Sequence, residues 1–576
     1  MSVLLGGPRP ADTVNRRSAS FHLERDKLHG IWHEPLPQTL TGILLSKAEM
    51  APDRVAVTMI GEDITYEKLV NKSASVARGL INLGVTRGDV LAVFAENSTT
   101  HLYAEFAAAR IGAIEVMINT AFKGDFLAHQ LRDSGAKLVI VALGLLDTVL
   151  AVLPLVPAIT SIIVIDTDHS YDDVSAGVPI LGIEALMGHS SSSLSDMRDP
   201  LSTDPCSIVY TSGTTGPSKG VLLSNNYLCL FAELHSSLWY SGPQDVFYSV
   251  GPLYHLGAKG VGVLGSIYRG VRCVQDERFS ASNFWSRVRE EKCNATMMLG
   301  SVAMLLWGRE PSNEEGIETI YVNPVPVKLL GPMEERWSCK FQSAYGLSEA
   351  APVTHTGPTV PLRPGSAGKV DDRYFDVRIF DDEDRELLVG SVGEVVVRPK
   401  RPNSIFEGYY RNPEATMGQM RNCWFHTGDL GRFDADGYFY FVDRKKDYLR
   451  RRGENISSFE VEVAIASHPL VVEAAIVAVS SELGEDEVKA FVMLRTGTSL
   501  SNEELIAHCI EKMPYFAVPR YVEFVDDLPR TPSGKVEKHK LRAQGRGSAW
   551  DREEAGSVLS GKRRERHREA GAVPMP

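Results

Sequence analysis

The sequence predicts an α/β protein: a large N-terminal domain of parallel α/β sheets with a β-barrel-like subdomain, followed by a small α+β C-terminal domain. Three features of the 576-residue chain predict it. Short β-rich runs alternate with helix-like segments over residues 55–300, close-spaced strands follow over 365–442, and a charged run at 443–455 precedes a last segment with its own pattern. Strands that alternate with helices are typical of parallel sheets covered by helices.

The N-terminal alternation rests on six apolar runs that are expected to be strands: VAVTMI, VLAVFA, KLVIVA, SIIVID, CSIVYT and VLGSIY. The segment YEKLVNKSASVARGLINLG has the apolar spacing of a helix. Residues 138–165 are apolar for longer than the roughly 20 residues that a membrane helix needs. Asp147, Pro154 and Pro157 interrupt them, so a strand, a short helix and a second strand are predicted rather than an integral membrane segment.

The later elements differ in spacing. The runs GKV, FDVRIFDDEDRELL, GEVVVRP and GYFYFVD are separated by Gly and Asp turns, which is typical of an antiparallel or barrel-like sheet. After the charged run, VVEAAIVAVS and VKAFVML predict strands and NEELIAHCIEKM a helix. The predicted organisation is an N-terminal extension (1–40), a main domain (41–442, with the β-rich subdomain at 365–442), a boundary segment (443–447), a C-terminal domain (448–550) and a disordered tail (551–576).

Composition excludes several classes of function. The chain has 61 basic and 73 acidic residues, a net charge of −12, which offers no general attraction to nucleic acid or to anionic lipid. Its seven cysteines are scattered without a Cys-x-x-Cys pair, as expected of reduced thiols. The N-terminus turns polar within a few residues, unlike a secretory signal, so a cytoplasmic protein is expected.

The segment YTSGTTGPSKG, at 210–220, follows a predicted strand and is a candidate phosphate loop. Glycine lets the backbone approach a ligand closely, so N–H groups and hydroxyls can surround a polyphosphate while a lysine supplies charge. The spacing differs from the Walker pattern, and a flexible linker is the structural alternative, which the preceding strand and the lysine make weaker. The candidate phosphate ligands are Thr211, Ser212, Gly213, Thr214, Thr215, Gly216 and Lys219.

This loop resembles the signature loop of the adenylate-forming superfamily, which includes acyl-CoA synthetases, luciferases and the adenylation domains of peptide synthetases. Further motifs follow in the family's order over about residues 40–545: Tyr345-Gly-Leu-Ser-Glu349, Thr427-Gly-Asp429, Asp443-Arg-Lys-Lys-Asp447 with Gly453-Glu-Asn455, and Pro532-Ser-Gly-Lys535. The runs RRGENIS and FAVPRYVEFVDDLPRTPSGKVEKHKLR are most similar to the carnitine/crotonobetaine-CoA ligase branch and its short- to medium-chain relatives.

The resemblance implies how the nucleotide is bound. Tyr345 would stack on adenine, Ser348 would contact a phosphate, and Glu349 would hold Mg²⁺ through a hard oxygen. Asp429 would accept the ribose hydroxyls, and Arg444 would contact the same sugar or its phosphate. Turn and salt-bridge chemistry is the alternative for that pair. The remaining nucleotide-binding candidates from the YGLSE motif are Ala344 and Gly346.

The resemblance also implies a mobile C-terminal domain. Residues 443–447 would be the hinge, with Lys446 as its pivot, and 448–550 a lid over an AMP-binding N-terminal domain. Lys535 would be the catalytic lysine, acting with Glu349, and Gly453 would lie beside the thiol channel. The candidates for the phosphates of CoA are Arg450, Arg451, Arg452 and Arg520, with a solvated basic loop as an equal alternative.

The sequence identifies the residues of the acyl pocket less clearly than those of the nucleotide site. By the resemblance its walls include Tyr254, His255, Gly300, Ser301 and Gly346. His255 either gates the pocket or satisfies a buried hydrogen bond. The glycine-rich adenine-contact segment usual in the family is represented only by the residues VNPVP at 322–326.

Together these features predict an acid–thiol ligase, an AMP-forming acyl-CoA synthetase. A carboxylic acid would react with ATP and Mg²⁺ to give acyl-AMP and pyrophosphate, and CoA would then take the acyl group. An enzyme that passes the acyl group to an amine or a carrier protein is the nearest alternative; an inactive scaffold and a luciferase-like oxygenase are others. The acid and the oligomeric state are left open, with a homodimer as one alternative.

Overall fold

The computed structural model describes residues 38–165, 177–188, 199–211, 218–309, 316–323, 327–357, 359–445, 449–451, 454–456, 458–480, 486–513, 517–531 and 534–556. Nearly all of the predicted N-terminal extension and most of the predicted tail lie outside these residues. The described chain is a mixed α/β protein with a large N-terminal part built on two parallel sheets and a smaller C-terminal part, as the sequence predicts.

The first large sheet has eight strands within the described residues. Six run parallel to one another; the strand next to them, Lys219–Ser224, is antiparallel to its neighbours on both sides, and the edge strand Gly408–Tyr409 again runs in the direction of the six. In order across the sheet the strands are Gly408–Tyr409, Lys219–Ser224, Pro205–Thr211, Ile114–Met117, Val90–Phe94, Leu138–Ala142, Ser161–Ile165 and Ile180–Gly182. The central strands are buried on both faces, which explains why they read as continuous apolar runs.

The second large sheet has seven strands in the described chain and is parallel except at one edge. In order, they are Lys340–Gln342, Thr319–Asn323, Ala295–Leu299, Val246–Ser249, Arg272–Gln275, Val55–Met59 and Glu62–Thr65. One apolar cluster joins the two large sheets through helices packed between them.

Helices of the N-terminal part begin at recognisable caps. The hydroxyl of Thr65 accepts from Lys68 N, and that of Ser224 from Tyr227 N, so each satisfies a backbone donor of the first turn. The α-helices are Leu40–Met50, Tyr66–Asn82, Thr99–Ile111, Gly124–Ser134, Leu146–Val152, Glu184–Met187, Asn225–Ser236, Gly265–Arg269, Phe284–Glu291, Gly300–Trp307, Leu330–Trp337 and Pro413–Gln419. Residues Leu143–Leu145, Leu153–Leu155 and Val327–Leu329 form 3₁₀ turns.

The prediction of a strand at VLGSIY is wrong. These residues lie in a π-helix, Gly257–Leu264, and the α-helix Gly265–Arg269 that continues it. The segment is buried on all sides, and periodicity alone does not distinguish a buried strand from a buried helix. Glycines let the π-helix pack closely, since a Cβ at Gly260 would lie 2.6 Å from the ring of Phe231.

Antiparallel sheets follow, at the place the sequence predicts. A five-stranded sheet contains the predicted runs FDVRIF, GEVVVRP and FYFVD. Its strands are Phe375–Phe380, Gly393–Pro399, Trp424–Phe433, Met420–Arg421 and Phe439–Arg444. A small sheet of Ala344–Tyr345, Thr354–His355 and Lys369–Val370 connects it to the parallel part.

The C-terminal part has an apolar cluster of its own. Its four-stranded sheet consists of Val471–Ser480, Asp486–Leu494, Tyr521–Phe524 and Trp550–Asp551. The strands Leu449–Arg451 and Glu454–Ile456 form a hairpin, and the helices are Ser458–Ala466, Asn502–Lys512 and Lys538–Arg542. The predicted strands VVEAAIVAVS and VKAFVML and the helix NEELIAHCIEKM are thus confirmed.

The long apolar stretch at 138–165 consists of strand, short helix with 3₁₀ turns and strand, as expected. Within the described residues, no helix has both the length and the apolar character needed to span a bilayer. All seven cysteines are free, and only Cys423 is exposed.

Candidate active site

A cavity of about 1060 Å³ lies where the two large sheets, the antiparallel sheet and a C-terminal loop meet. It is lined by residues from strand ends and turns of all these elements, as is common for α/β folds. Eight described candidates from the sequence line it: Thr211, Lys219, His255, Gly346, Ser348, Glu349, Arg444 and Lys535. The motifs, which are far apart in the chain, therefore contribute to one site.

The two described ends of the candidate phosphate loop, Thr211 and Lys219, line this cavity. The strands on either side of the loop pair in antiparallel fashion with Thr211 opposite Lys219. The Lys219 ammonium lies 4.8 Å from the centre of the Tyr409 ring, a cation–π contact, and it makes no ion pair within the described residues. Its charge is therefore available to a phosphate. The predicted ligands Ser212, Gly213, Thr214, Thr215 and Gly216 lie outside the described residues.

Glu349 is a buried carboxylate with one oxygen anchored. Tyr409 Oη donates to its Oε1 at 2.9 Å, and Tyr227 Oη donates to the carbonyl of Ser348 at 2.8 Å. The segment at 345–349 needs glycine at position 346, because a Cβ there would lie 2.9 Å from Pro352 Cα. With Oε1 held and the side chain lining the cavity, Glu349 fits the role of an oxygen ligand to Mg²⁺.

Asp429 and Arg444 face each other on paired strands. Arg444 Nε lies 2.7 Å from Asp429 Oδ1, and Tyr345 Oη donates to Oδ2 at 2.8 Å. Burial raises the pKa of Asp429, although Arg444 and Tyr345 oppose this. The ring of Tyr345 packs on Phe439, with centroids 4.7 Å apart. Arg444 lines the cavity, whereas Asp429 and Tyr345 do not.

Lys535 enters the cavity from the C-terminal part. A tight turn presents it: Lys535 N donates to Thr531 Oγ1 at 3.1 Å, and Thr531 N donates to the carbonyl of Lys535 at 2.8 Å. The side chain is exposed to the cavity, but the protein around it and the charge of Arg444 lower the pKa of Lys535, against the opposing effect of Asp429 and Glu349. The ammonium thus lies within electrostatic reach of the predicted nucleotide ligands.

The other half of the cavity is mainly apolar. His255 lines the cavity, and burial together with the charge of Lys535 lowers the pKa of His255 to about 4, so the imidazole is neutral. Tyr254, a predicted wall residue, does not line the cavity, since its hydroxyl bonds to Thr120 instead. Gly300 does not line it either, although its neighbours Leu299 and Val302 do. Ala344 is buried beneath the site, and the side chain of Ser301 lies outside the described part.

Comparison with known proteins decides the family. Residues 44–410 match the family described as AMP-binding enzyme, and residues 460–535 match the family described as AMP-binding enzyme C-terminal domain. The chain belongs to the AMP-binding enzyme family. The membership predicted from the motifs is therefore confirmed.

Relatives of this AMP-binding enzyme cover most of its length. The crotonobetaine/carnitine–CoA ligase of Escherichia coli is 30% identical over 485 residues, which cover 82% of this chain and 91% of that protein. ATP-bound MatB from Rhodopseudomonas palustris superposes with a TM-score of 0.76 at 25% identity, covering 88% of this chain and 98% of that one. The o-succinylbenzoate CoA synthetase MenE of Bacillus subtilis, in complex with ATP and magnesium ion, gives 0.73 at 24% identity, covering 87% and 98%.

The AMP-binding enzyme has site residues that the motifs did not identify. Glu394, in the strand Gly393–Pro399, is buried and accepts from Gly428 N at 3.2 Å and from Lys445 Nζ at 3.1 Å. It thereby connects the residue before Asp429 with the residue after Arg444. Glu394 could have been recognised as a candidate from the sequence, because it is an acidic residue at the start of the apolar run EVVV. Further cavity residues that were missed are His129, Tyr409, Tyr410, Asn412, Arg421 and His426.

Two of the arginines predicted for the CoA phosphates are engaged elsewhere. Arg451 is buried and pairs with Glu487 at 2.6 Å. Arg520 pairs with Asp551 at 3.1 Å and with Glu553 at 3.3 Å. These pairs stabilise the C-terminal fold, so the expectation for Arg451 and Arg520 is not supported by this geometry. Lys446, Arg452, Gly453 and the Arg450 side chain lie outside the described residues.

Proposed function

We propose that this AMP-binding enzyme is an acid–thiol ligase that adenylates a carboxylic acid with ATP and transfers the acyl group to CoA. The observation that carries the proposal is the single cavity that Lys219, Glu349, Arg444 and Lys535 share with an apolar acyl half. Three cations and a free carboxylate oxygen suit a magnesium-bound polyphosphate, and apolar walls suit an acyl chain.

In the first half-reaction a carboxylate oxygen forms a bond to the α-phosphorus of ATP, and the bond from that phosphorus to pyrophosphate breaks. Lys219 holds the leaving phosphates, and Lys535 lies between the carboxylate and the α-phosphate, where its charge offsets the repulsion of two anions. When bound at Glu349, Mg²⁺ would neutralise charge on the phosphate oxygens. Asp429 holds the ribose once Arg444 turns towards the phosphate. The products are acyl-AMP and pyrophosphate.

In the second half-reaction the thiolate of CoA attacks the acyl carbonyl, a C–S bond forms, and AMP leaves with the electrons of the C–O bond. Lys535 occupies the adenylation site, so the C-terminal part must move to admit a thiol. Asp443 lies where the N-terminal part is followed by the C-terminal part. Its Oδ2 accepts from Ser458 N at 2.6 Å and from Ser458 Oγ at 2.8 Å. Rotation about Lys446 would separate these two residues and bring Gly453 to the thiol path.

The relatives support the choice of cosubstrates. The E. coli relative is a CoA ligase, MatB is known with ATP, and MenE with ATP and magnesium ion. Transfer to an amine or a carrier protein is the alternative. His255 argues against amino-acid activation, because such enzymes usually carry an aspartate for the α-amine near this position. We place the enzyme in the cytoplasm, where its free cysteines would stay reduced.

The test is ATP/pyrophosphate exchange with purified protein over a panel of small, betaine-like, aromatic and fatty acids. We expect at least one acid to support exchange, and addition of CoA to release AMP in proportion to thioester formed, without light or oxygen uptake. Turnover of ATP only to ADP, with every acid offered, would overturn the proposal. Exchange without any CoA-dependent product would favour another acceptor.

A further inference from the structure

The acyl half of the cavity ends at a set of buried residues, here called the closed end: Phe231, His235, Phe247, Ser249, Val261 and Tyr321, each at most 6% exposed. The second large sheet forms its floor, since Ser249, Met297 and Tyr321 are register neighbours on three parallel strands. The helix Asn225–Ser236 and the π-helix Gly257–Leu264 cover it. An acid that reacts beside Lys535 would extend past His255 towards this end.

His235 presents a hydrogen-bond acceptor at the closed end. Its Nδ1 lies 3.0 Å from the carbonyl oxygen of Phe231, and a carbonyl can only accept, so Nδ1 carries the proton. Burial lowers the pKa of His235 to about 3, and nearby His355 adds to this, so the ring is neutral at physiological pH. Nε2 therefore has a free lone pair. Within the described residues it has no partner, yet it is not enclosed by protein, so the cavity is where a partner would come from.

A second polar group lies beside it. The rings of His235 and Tyr321 are 5.7 Å apart, and Tyr321 Oη likewise has no partner in the described chain and is not enclosed. Ser249 Oγ is fully buried without a partner. Unpaired polar groups in a buried site cost free energy unless a ligand pairs with them. The closed end thus presents a neutral acceptor and a phenol between the aromatic walls Phe231 and Phe247.

The closed end also lacks charge. Among its described lining residues, none is Asp, Glu, Lys or Arg; the charged lining residues belong to the nucleotide half. Lys259 of the π-helix does not line the cavity and pairs with Glu105 and Glu115 instead. A charged group at the far end of the acid would find no counter-ion, which is costly in a buried site.

We propose that the closed end selects carboxylic acids whose far end is a flat, uncharged group carrying a hydroxyl or amino hydrogen, which donates to His235 Nε2 while Tyr321 Oη contacts the same group. The proposal rests on the proposed adenylating function, because it assigns this half of the cavity to the acid. The rings of Phe231, centred 4.0 Å from His235, and of Phe247 give a flat group apolar contact. A quaternary ammonium has no hydrogen to donate and would leave Nε2 unpaired.

The test compares matched acids in ATP/pyrophosphate exchange with the full-length protein. Benzoate, phenylacetate and 3-phenylpropanoate are each measured with and without a para hydroxyl, together with an acid of similar length ending in trimethylammonium. For the best-fitting pair we expect the hydroxylated acid to have a kcat/KM higher by on the order of 10-fold or more, because a site built for a hydrogen bond rejects the analogue that lacks it. The readout is the ratio of kcat/KM for the hydroxylated acid to kcat/KM for the same acid without the hydroxyl, and not the absolute rate.

Two variants link the ratio to the residues. His235→Phe keeps a flat ring without the acceptor and should reduce the ratio to about 2-fold or less, since the preference comes from that one bond. Tyr321→Phe should reduce it in part, and serves if His235→Phe fails to fold by circular dichroism. Tyr248→Phe is the matched control: its phenol is on the same sheet but bonds to Asp276 at 2.7 Å outside the site, so the ratio should stay at the wild-type value.

The outcomes separate the two proposals. No exchange with any acid, here or in the wider panel, would overturn the proposed function and this inference with it. Exchange with no preference for the hydroxylated acids, a preference for the trimethylammonium acid, or a hydroxyl preference that survives both His235→Phe and Tyr321→Phe would overturn the inference alone.

Discussion

The guanidinium of Arg444 covers the carboxylate of Asp429, with Nε 2.7 Å from Oδ1. Strand pairing sets these residues opposite each other, and Asp429 is only 2% exposed while the Arg444 side chain is 46% exposed. The proposed ribose ligand is therefore occupied by its own neighbour before a nucleotide binds. Arg444 is the partner with room to move, so nucleotide binding would exchange this ion pair for contacts with ribose and phosphate.

Replacing Asp429 should weaken ATP binding while it increases the thermal stability of the protein. Burial raises the pKa of Asp429, so the folded state binds its proton more tightly than the unfolded state, and the stability it contributes falls as pH rises through the folded-state value. At neutral pH Asp429→Asn removes a costly buried charge and should raise the melting temperature by about 1–2 °C. It should also raise KM for ATP by about 10-fold or more, since an ionised acceptor is lost. A lower melting temperature would contradict this account of the carboxylate.

Lys535 should act in only one half-reaction. Burial and Arg444 lower its pKa, so it loses its proton at a lower pH than an ordinary lysine, and adenylation should decline on the alkaline side. Lys535→Ala should slow adenylation by about 10²–10³-fold while thioester formation from supplied acyl-AMP survives. Lys535→Arg should retain part of the rate and move the alkaline decline to higher pH. Equal loss in both half-reactions would exclude the proposed role.

Gly453 gives the complementary prediction, from its motif alone. If it lines the thiol path, Gly453→Leu should leave pyrophosphate exchange near the wild-type rate and reduce thioester formation by about 10-fold or more, because a side chain would block the nucleophile. Thr496→Leu, at an exposed position in a turn of the C-terminal part, controls for the addition of a leucine to this part. Exchange that fell before thioester formation would show the assignment to be wrong.

Glu394 should position the strands that carry Asp429 and Arg444. It accepts from Gly428 N and Lys445 Nζ, the neighbours of Asp429 and Arg444 in the chain. Glu394→Gln should loosen both strands and raise KM for ATP about 10-fold with a smaller change in kcat. Asp376→Asn is the control, because Asp376 lies in the same sheet but pairs with Arg398 at 2.7 Å and does not line the cavity. Equal effects of the two variants would contradict the positioning role.

Sequence reasoning succeeded where local rules determine structure. Buried parallel strands such as Val90–Phe94 read as apolar runs because both faces are covered, and the motifs converge because strand ends meet at one edge of a sheet. It failed at Gly257–Leu264, where a helix buried on all sides has no polar face to reveal its period.

Local sequence rules did not predict the acyl half of the cavity. His235 and Tyr321 come from separate segments and meet only through the packing of a helix on a sheet, so neither sequence neighbourhood predicts the acceptor at the closed end. Tyr254, which family resemblance placed in the wall, bonds to Thr120, and it is the adjacent His255 that lines the cavity. Orientation within a turn depends on tertiary packing rather than on the motif.

A buried charge cluster behind the acyl pocket gives a last prediction. Lys259 bonds to Glu115 and lies 3.0 Å from Glu105, and His101 lies 3.5 Å from Glu115; all four side chains are at most 2% exposed. Burial and the charge of Glu115 raise the pKa of Glu105 despite Lys259, whereas Lys259 and His101 outweigh burial and lower that of Glu115.

The two carboxylates should therefore respond differently to neutralisation. Because the pKa of Glu105 is raised on folding, its stabilising effect is lost as pH rises through the folded-state value, so Glu105→Gln should leave the free energy of unfolding at pH 8 unchanged or higher. Glu115→Gln removes the charge that Lys259 and His101 stabilise, and should lower that free energy by about 1–3 kcal/mol. Denaturant unfolding of both variants at pH 8 measures the difference. If Glu105→Gln were the more damaging change, Glu105 rather than Glu115 would be the principal partner of Lys259.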